Sequence, residues 1–172
     1  SRIISSSSDK TIREWDIETG ECLSVIGTLD KWVHLRNSNN GEYFASYSAG
    51  GAIRLWSGQT MKLKHTYDIR LLWTDISFSY DDRLLYATDI SGNLHVFDTQ
   101  HGGLIAVYKN MGISICCNPA RDLVMCEAYQ SLVQLEIEPL QVLIERAKVL
   151  YHDRELSNEE RRKYYLTVLT DR

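Results

Sequence analysis

The sequence predicts an all-β fold built from one repeated unit and followed by a C-terminal α-helical hairpin. The pentapeptide Ile12-Arg13-Glu14-Trp15-Asp16 recurs 41 residues on as Ile53-Arg54-Leu55-Trp56-Ser57. It recurs again after 41 as Leu94-His95-Val96-Phe97-Asp98, and after 38 as Leu132-Val133-Gln134-Leu135-Glu136. Each copy alternates with period 2 between turn-forming segments, which is the pattern of a strand. A period near 40 residues with several short strands in each unit fits a propeller of four-stranded blades. After Ile137 the apolar spacing changes to 3.6, which is the pattern of a helix.

Taken in order, the first blade (1–28) has strands over Arg2 to Ser7, Thr11 to Ile17 and Cys22 to Ile26, with no inner strand before them. The second (29–69) runs Val33 to Asn37, Tyr43 to Ser48, Ala52 to Trp56 and Leu63 to Tyr67. Its Asn39-Asn40-Gly41 is a hairpin signal, because Asn and Gly tolerate the positive φ of tight turns. The third (70–109) runs Trp73 to Phe78, Arg83 to Thr88, Leu94 to Phe97 and Leu104 to Tyr108. The fourth (110–137) has three strands, Gly112 to Cys117, Leu123 to Glu127 and Leu132 to Ile137. About three and a half blades are too few for a ring of four to eight. The expectation is a C-terminal half-propeller that folds poorly alone, with the missing upstream part of the same chain as one of its partners. Over 138–172, Pro139 opens a helix whose stripe is Leu140, Leu143, Ile144, Ala147, Leu150 and Tyr151. A second helix starts at Ser157 with Glu160 completing a capping box.

The repeat resembles the WD40 family. Trp15-Asp16 carries the signature dipeptide, Asp9 stands six residues before that Trp in the family's turn position, and Ser7 precedes it. Later copies depart from the pattern: Trp56 is followed by Ser57, Phe97-Asp98 keeps the acid, and the turn Asp is replaced by Gly50, Ser91 and Tyr129. The resemblance implies a hydrogen-bonded chain of His, Ser or Thr, Asp and Trp in each blade. With no Gly-His dipeptide present, no complete chain can be assembled from these residues, blade 1 having one only if its His lies upstream of Ser1, and the blades are expected to rest mainly on apolar burial. Ser7, Asp9, Trp15, Asp16, Trp56, Phe97 and Asp98 are the expected blade-structural residues. The stretch Arg154-Glu155-Leu156-Ser157-Asn158-Glu159-Glu160 through Tyr164-Tyr165-Leu166 resembles the helical ending after WD40 arrays in bacterial NACHT/STAND-type NTPases. That likeness implies a sensor region attached to an upstream nucleotide switch.

The 172 residues carry a net charge of -4, which provides no basic footprint for phosphates and argues against nucleic acid as a partner. No apolar run approaches the roughly 18 residues of a spanning helix, so no membrane partner is expected. Cys22, Cys116, Cys117 and Cys126 have neither metal-ligand spacing nor the density of a stapled secreted domain, and read as thiols in a reducing cytoplasm. No phosphate loop, His-Glu-x-x-His or Gly-x-Ser-x-Gly occurs. His34, His65, His95, His101 and His152 are dispersed. The reading is therefore non-enzymatic, with no cofactor and no metal.

Recognition is expected on the face made by the loops between blades and the turns between second and third strands. Its candidates are Lys31, Trp32, Arg70, Leu72, Trp73 and Met111. Trp32 and Trp73 are 41 apart and so occupy equivalent places, where they either contact a partner or wedge between blades. The expected function is a cytoplasmic interaction or scaffold module that binds a protein or peptide. The alternatives are an autoregulatory region of an attached STAND-type NTPase, and a propeller enzyme with a loop-built site.

Overall fold

The computed structural model describes residues 2–28, 33–48, 51–69, 71–118, 120, 123–128 and 131–136. They form fourteen strands. Blade 1 contains β1 (Arg2–Ser6), β2 (Thr11–Asp16) and β3 (Cys22–Gly27). Blade 2 contains β4 (His34–Asn37), β5 (Tyr43–Tyr47), β6 (Ile53–Ser57) and β7 (Leu63–Tyr67). Blade 3 contains β8 (Trp73–Phe78), β9 (Leu84–Asp89), β10 (Leu94–Asp98) and β11 (Gly103–Tyr108), and blade 4 contains β12 (Ser114–Cys117), β13 (Leu123–Ala128) and β14 (Ser131–Glu136). Strands pair in chain order within each sheet, and every pairing is antiparallel. The helical hairpin expected over 138–172 lies outside the described residues.

The alternation placed these strands to within one or two residues, and the ends moved for identifiable reasons. Ser7 leaves the first strand because its N–H donates to Thr11 O and its carbonyl accepts from Lys10 N, which closes the turn. Met111 and Gly112 precede β12 because both of their N–H groups donate to Gly92 O in the neighbouring blade.

Each blade buries a face against the next. Ile12, Val33, Phe44, Trp56 and Met61 pack between blades 1 and 2. Ala45, Tyr47, Ile53, Leu55 and Tyr67 of blade 2 meet Trp73, Ile76, Leu85, Ala87 and Phe97 of blade 3. Tyr86, Leu94 and Val96 meet Ile115, Val124 and Cys126 of blade 4. Burial of a side chain of this size contributes about 1.5–3 kcal/mol, so these three layers hold the blades together.

Polar detail repeats with the same period. The third strand of blades 1, 2 and 3 bulges immediately before its aromatic, at Glu14/Trp15, Leu55/Trp56 and Val96/Phe97. The residue after the aromatic then caps the next turn. Asp16 Oδ1 accepts from Glu18 N and Thr19 N, Ser57 Oγ accepts from Thr60 N, and Asp98 Oδ1 accepts from Gln100 N and His101 N. This is the local work of the acid in the Trp-Asp pair. Each turn ends on a left-handed residue: Gly20, Met61 at φ 56, and Gly102. At Gly102 a Cβ would also lie 2.5 Å from the His65 ring.

The aromatic itself is matched across the sheet. Trp15 Nε1 donates to Ser5 Oγ at 2.9 Å, and Trp56 Nε1 donates to Ser46 Oγ at 2.8 Å. Ten residues before Phe97 stands Ala87, and ten before Leu135 stands Met125. Loss of the indole donor therefore coincides with loss of its acceptor, which leaves no buried polar orphan at that position. Among the described residues of blade 1 the remainder of the implied WD40 chain is not made: the Asp9 carboxylate accepts from Thr11 N, Thr11 Oγ1 and Arg13 Nη2.

The first turns of blades 2 and 3 are also copies. Ser38 Oγ donates to Asn40 Oδ1 as Ser79 Oγ donates to Asp81 Oδ1, and each hydroxyl also accepts the N–H five residues on. The left-handed place held by Gly41 (φ 73) is held in blade 3 by Asp82 (φ 59). Asp82 reaches back to blade 2, where its carboxylate accepts from Asn39 N, Asn39 Nδ2 and Asn40 N at 2.8–2.9 Å.

Two stability measurements check this account. Ser46→Ala leaves the Trp56 indole N–H unpaired and is expected to cost about 2 kcal/mol. Adding Trp56→Phe, which reproduces the Ala87/Phe97 pair, should cost less than the sum of the two single changes in a double-mutant cycle read by urea unfolding. Asp82→Gly keeps the backbone conformation and deletes the turn-to-turn bonds; a loss of about 2 kcal/mol is expected, and a change under about 0.5 kcal/mol would show that the ties are idle.

Candidate interaction face

Loops between blades and turns between second and third strands lie at one end of the described sheets, because each first strand starts where the antiparallel second strand ends. Trp73 opposes Asp89 there, and Ser114 opposes Glu127. Of the six expected recognition residues, Lys31, Trp32 and Arg70 lie outside the described residues. The other three divide.

Leu72 is on the face, 50% exposed. Trp73 is only 4% exposed: its Nε1 donates to Gly51 O of blade 2 at 2.9 Å and its ring stands edge-on to His95 and Phe97. Met111 is 8% exposed, in the apolar layer between blades 3 and 4. Trp73 and Met111 therefore support the face from beneath, the wedge arrangement, and present no surface to a partner. The aromatic needs apolar cover and an acceptor for its N–H, and blade 2 supplies both.

Two residues join Leu72. Ile90 and Ile113 are 62% and 50% exposed. Ile90 N–H donates to Leu72 O at 2.9 Å, which ties the turn of blade 3 to the loop entering it. Ile113 O accepts from Thr74 Oγ1 at 2.5 Å and Thr88 Oγ1 at 2.9 Å, which anchors the start of blade 4 on blade 3. Three aliphatic side chains are thus held outward by backbone bonds. A signal for Ile90 exists in the sequence: an aliphatic residue between Asp89 and Ser91 has no role in turn chemistry.

Below the face, charge is locked into structure. Asp89 Oδ1 accepts from Ser91 N and Asn93 N, and Oδ2 accepts from Asn93 Nδ2 and lies 2.9 Å from His95 Nε2. This carboxylate takes the part expected at Ser91, from two residues earlier in the turn. Burial, the largest single influence, pushes the Asp89 carboxyl up; the bonds from His95, Asn93 and Ser91 together outweigh it and hold the group below the ordinary carboxylate range. An ionised Asp89 can only accept, so His95 Nε2 is the donor of this pair, and Nδ1 is buried with no hydrogen-bond partner among the described residues.

Asp75 joins three blades: Oδ1 accepts from Arg36 Nη2 at 3.1 Å and Oδ2 from Ile115 N at 3.3 Å. Burial pushes the thiol of the half-buried Cys117 up to about 12, which disfavours its thiolate at neutral pH. Among the described residues no three His, Cys, Asp or Glu side chains are grouped to hold a metal, and no helix is long and apolar enough to cross a membrane. A groove of about 290 Å³ between β7 and the β10–β11 turn has His65, Tyr67, Asp68, Phe97 and Leu104 in its wall. Its His65 Nε2 is already 3.1 Å from Gln100 O.

The Asp89 network has a definite pH signature. A folded-state pKa below the unfolded value stabilises the fold above about 3.9, and that contribution is lost as pH falls through the folded value. Wild type should exceed Asp89→Asn in stability by about 2 kcal/mol at neutral pH. The gap should close as pH drops below about 3.9, as followed by urea midpoints; a gap independent of pH would assign the effect to packing.

Comparison with known proteins agrees with this geometry. The family model described as "WD domain, G-beta repeat" matches residues 20–57. The chain is 27% identical over 119 residues to a guanine nucleotide-binding protein subunit beta of Oryza sativa subsp. japonica, covering 63% of this chain and 31% of that protein. It is 32% identical over 91 residues to apoptotic protease-activating factor 1 of Danio rerio, covering 50% of this chain and 7% of that protein. The Cps50 (Swd1) β-propeller domain of Myceliophteria thermophila superimposes with a TM-score of 0.71 at 16% identity, over 79% of this chain and 50% of that one. The chain thus spans half or less of the length of these relatives. Its repeat at 20–57, its four stacked sheets and this superposition give it the fold of a WD40-type β-propeller.

Proposed function

We propose that the chain is a non-catalytic interaction module, within a larger cytoplasmic regulatory or scaffold protein, that binds a protein or peptide on its loop face. The observation that carries this reading is the exposed trio Leu72, Ile90 and Ile113, fixed outward by bonds to backbone oxygens. Loops whose backbone is already fixed lose little backbone entropy on binding, and an apolar patch on such loops is a usual seat of recognition. The half-buried Asp75 and the buried Asp89 and His95 of this end are committed to structural bonds, which supports binding over chemistry. The relative whose name makes it a subunit supports an assembling role as well.

A second reading is an autoregulatory segment attached to a STAND-type NTPase. The likeness of the tail over 154–166 motivates it. Nucleotide-dependent protection of the loop face in the full-length polypeptide would favour it.

The test of the first reading is affinity capture from the source cells with the full-length polypeptide, comparing wild type, Leu72→Asp/Ile90→Asp/Ile113→Asp and the outer-strand control Val107→Asp. A partner whose recovery falls by about tenfold or more with the triple variant alone, equivalent to at least about 1.4 kcal/mol, supports loop-face binding. Equal recovery by all three folded proteins rejects it.

A further inference from the structure

Asn40-Gly41 is the one Asn-Gly pair in the sequence, and both residues are exposed in the first turn of blade 2. An Asn side chain can lose ammonia spontaneously when the next backbone nitrogen attacks it, and glycine favours this because no Cβ crowds that nitrogen. At Gly41, where φ is 73°, the space in which a Cβ would stand is open to 4 Å. The amide under attack is prepared as well. Asn40 Oδ1 accepts from Ser38 Oγ at 2.9 Å and from Glu42 N at 2.8 Å. Both donors sit on the oxygen where negative charge develops as a nucleophile adds to the amide carbon, the arrangement of an oxyanion hole. Restraint comes from blade 3: the Asp82 carboxylate holds Asn39 N, Asn39 Nδ2 and Asn40 N, which fixes the backbone leading into the pair.

We propose that Asn40-Gly41 is a spontaneous deamidation site whose rate is set by the Asp82 clasp from blade 3. Gly41 N gives up its proton and bonds to Asn40 Cγ; the Cγ–Nδ2 bond breaks, and Nδ2 leaves as ammonia with that proton. Water then opens the resulting five-membered imide at either carbonyl. Cleavage of the new N–Cγ bond leaves aspartate, and cleavage of the original C–N bond leaves isoaspartate, with the main chain routed through Cγ. Attack consumes the Gly41 N–H and with it the bond to Ser38 O, which is 3.3 Å long. The two Oδ1 donors belong to the turn itself, so they stay in place when Asp82 lets go.

The products act on the fold differently. Aspartate at position 40 has a precedent in blade 3, where Asp81 Oδ1 accepts from Ser79 Oγ and Arg83 N as Asn40 Oδ1 accepts from Ser38 Oγ and Glu42 N. In blade 2 the new charge belongs to the residue whose N–H is held by Asp82 Oδ2 at 2.9 Å, and repulsion between the carboxylates weakens the clasp. Isoaspartate adds one atom to a turn closed by the bond from Ser38 N to Tyr43 O. Either product loosens blade 2 from blade 3, and the hydrolysis is one-way.

Ageing of the full-length polypeptide in neutral buffer tests this, with wild type beside Asp82→Gly. Mass spectrometry locates the exchange of NH₂ for OH at position 40, and methyl transfer by an isoaspartyl methyltransferase reports the isoaspartate. Asn93, whose Nδ2 donates to Asp89 and which is followed by Leu94, is the internal control. The Asn40 rate is expected to rise by more than about threefold in Asp82→Gly, because the site reacts from a locally opened turn, while the Asn93 rate stays unchanged. A smaller rise at Asn40, an Asn40 that stays intact in both proteins, or an equal rise at Asn93 overturns the proposal. If Asp82→Gly fails to fold, wild type with and without denaturing urea decides. Reaction at Asn40 more than about threefold faster in urea supports a clasp that restrains the turn, and equal rates reject it.

Discussion

The constraint on which this structure depends is that a blade is one sheet thick. A four-stranded antiparallel sheet whose inner strands are apolar on both sides cannot bury both faces by itself, and each blade here solves this with its neighbours. Alternation along β6 shows the consequence. Ile53 and Leu55 face blade 3 while Trp56, moved by the bulge, packs in the layer toward blade 1. Strand β10 does the same one blade on, with Leu94 and Val96 toward blade 4 and Phe97 toward blade 2. The bulge before the aromatic lets one short strand serve two layers, which explains why it recurs at the same place in three blades.

Burial is non-directional and would allow blades to slide over one another, so the polar contacts between blades carry a separate task. Asp82 holds the turn of blade 2 by two backbone N–H groups and one side-chain amide, and Asp75 holds Arg36 of blade 2 and the backbone of blade 4 at once. Tyr67 OH donates to Asp98 O at 2.6 Å, and Trp73 Nε1 to Gly51 O. Each of these pairs is satisfied only at one offset between sheets. A shift would leave buried donors and acceptors empty at about 1–3 kcal/mol each. Apolar layers hold the stack and hydrogen bonds set its phase.

The strands were legible because period-2 alternation and turn residues are local signals, and four repeats of one pattern reinforce each other. The WD40 likeness was legible from Trp15-Asp16 for the same reason. Less legible was anything that depended on a neighbour's position. Met111 reads as a surface residue, and Trp73 as either a contact or a wedge, because loop membership says where a backbone runs and not where its side chain finds cover. Asp89 was overlooked because strict 41-residue equivalence points to Ser91, whereas a carboxylate two residues earlier reaches the same turn amides. Asp82 looked like ordinary turn composition; its inter-blade bonds follow from the left-handed conformation it shares with Gly41, which no pattern of apolar residues encodes.

The coupled exchange of Trp/Ser for Phe/Ala connects this architecture to function. A blade can drop its internal hydrogen bond without penalty if donor and acceptor go together, because the apolar layer retains most of the energy. Blade 3 has done so, and in the same blade a carboxylate and an imidazole, Asp89 and His95, have entered the space beneath the loop face. They fasten the turn that carries Ile90, and the hydroxyls of Thr74 and Thr88 fasten Ile113 beside it. The blade that lacks the Trp/Ser pair is thus also one in which a single carboxylate, Asp89, gathers backbone and side-chain donors of its turn. Its buried polar groups fasten the loops from which these aliphatic side chains stand exposed, so the change inside the blade and the shape of its loop end are parts of one arrangement.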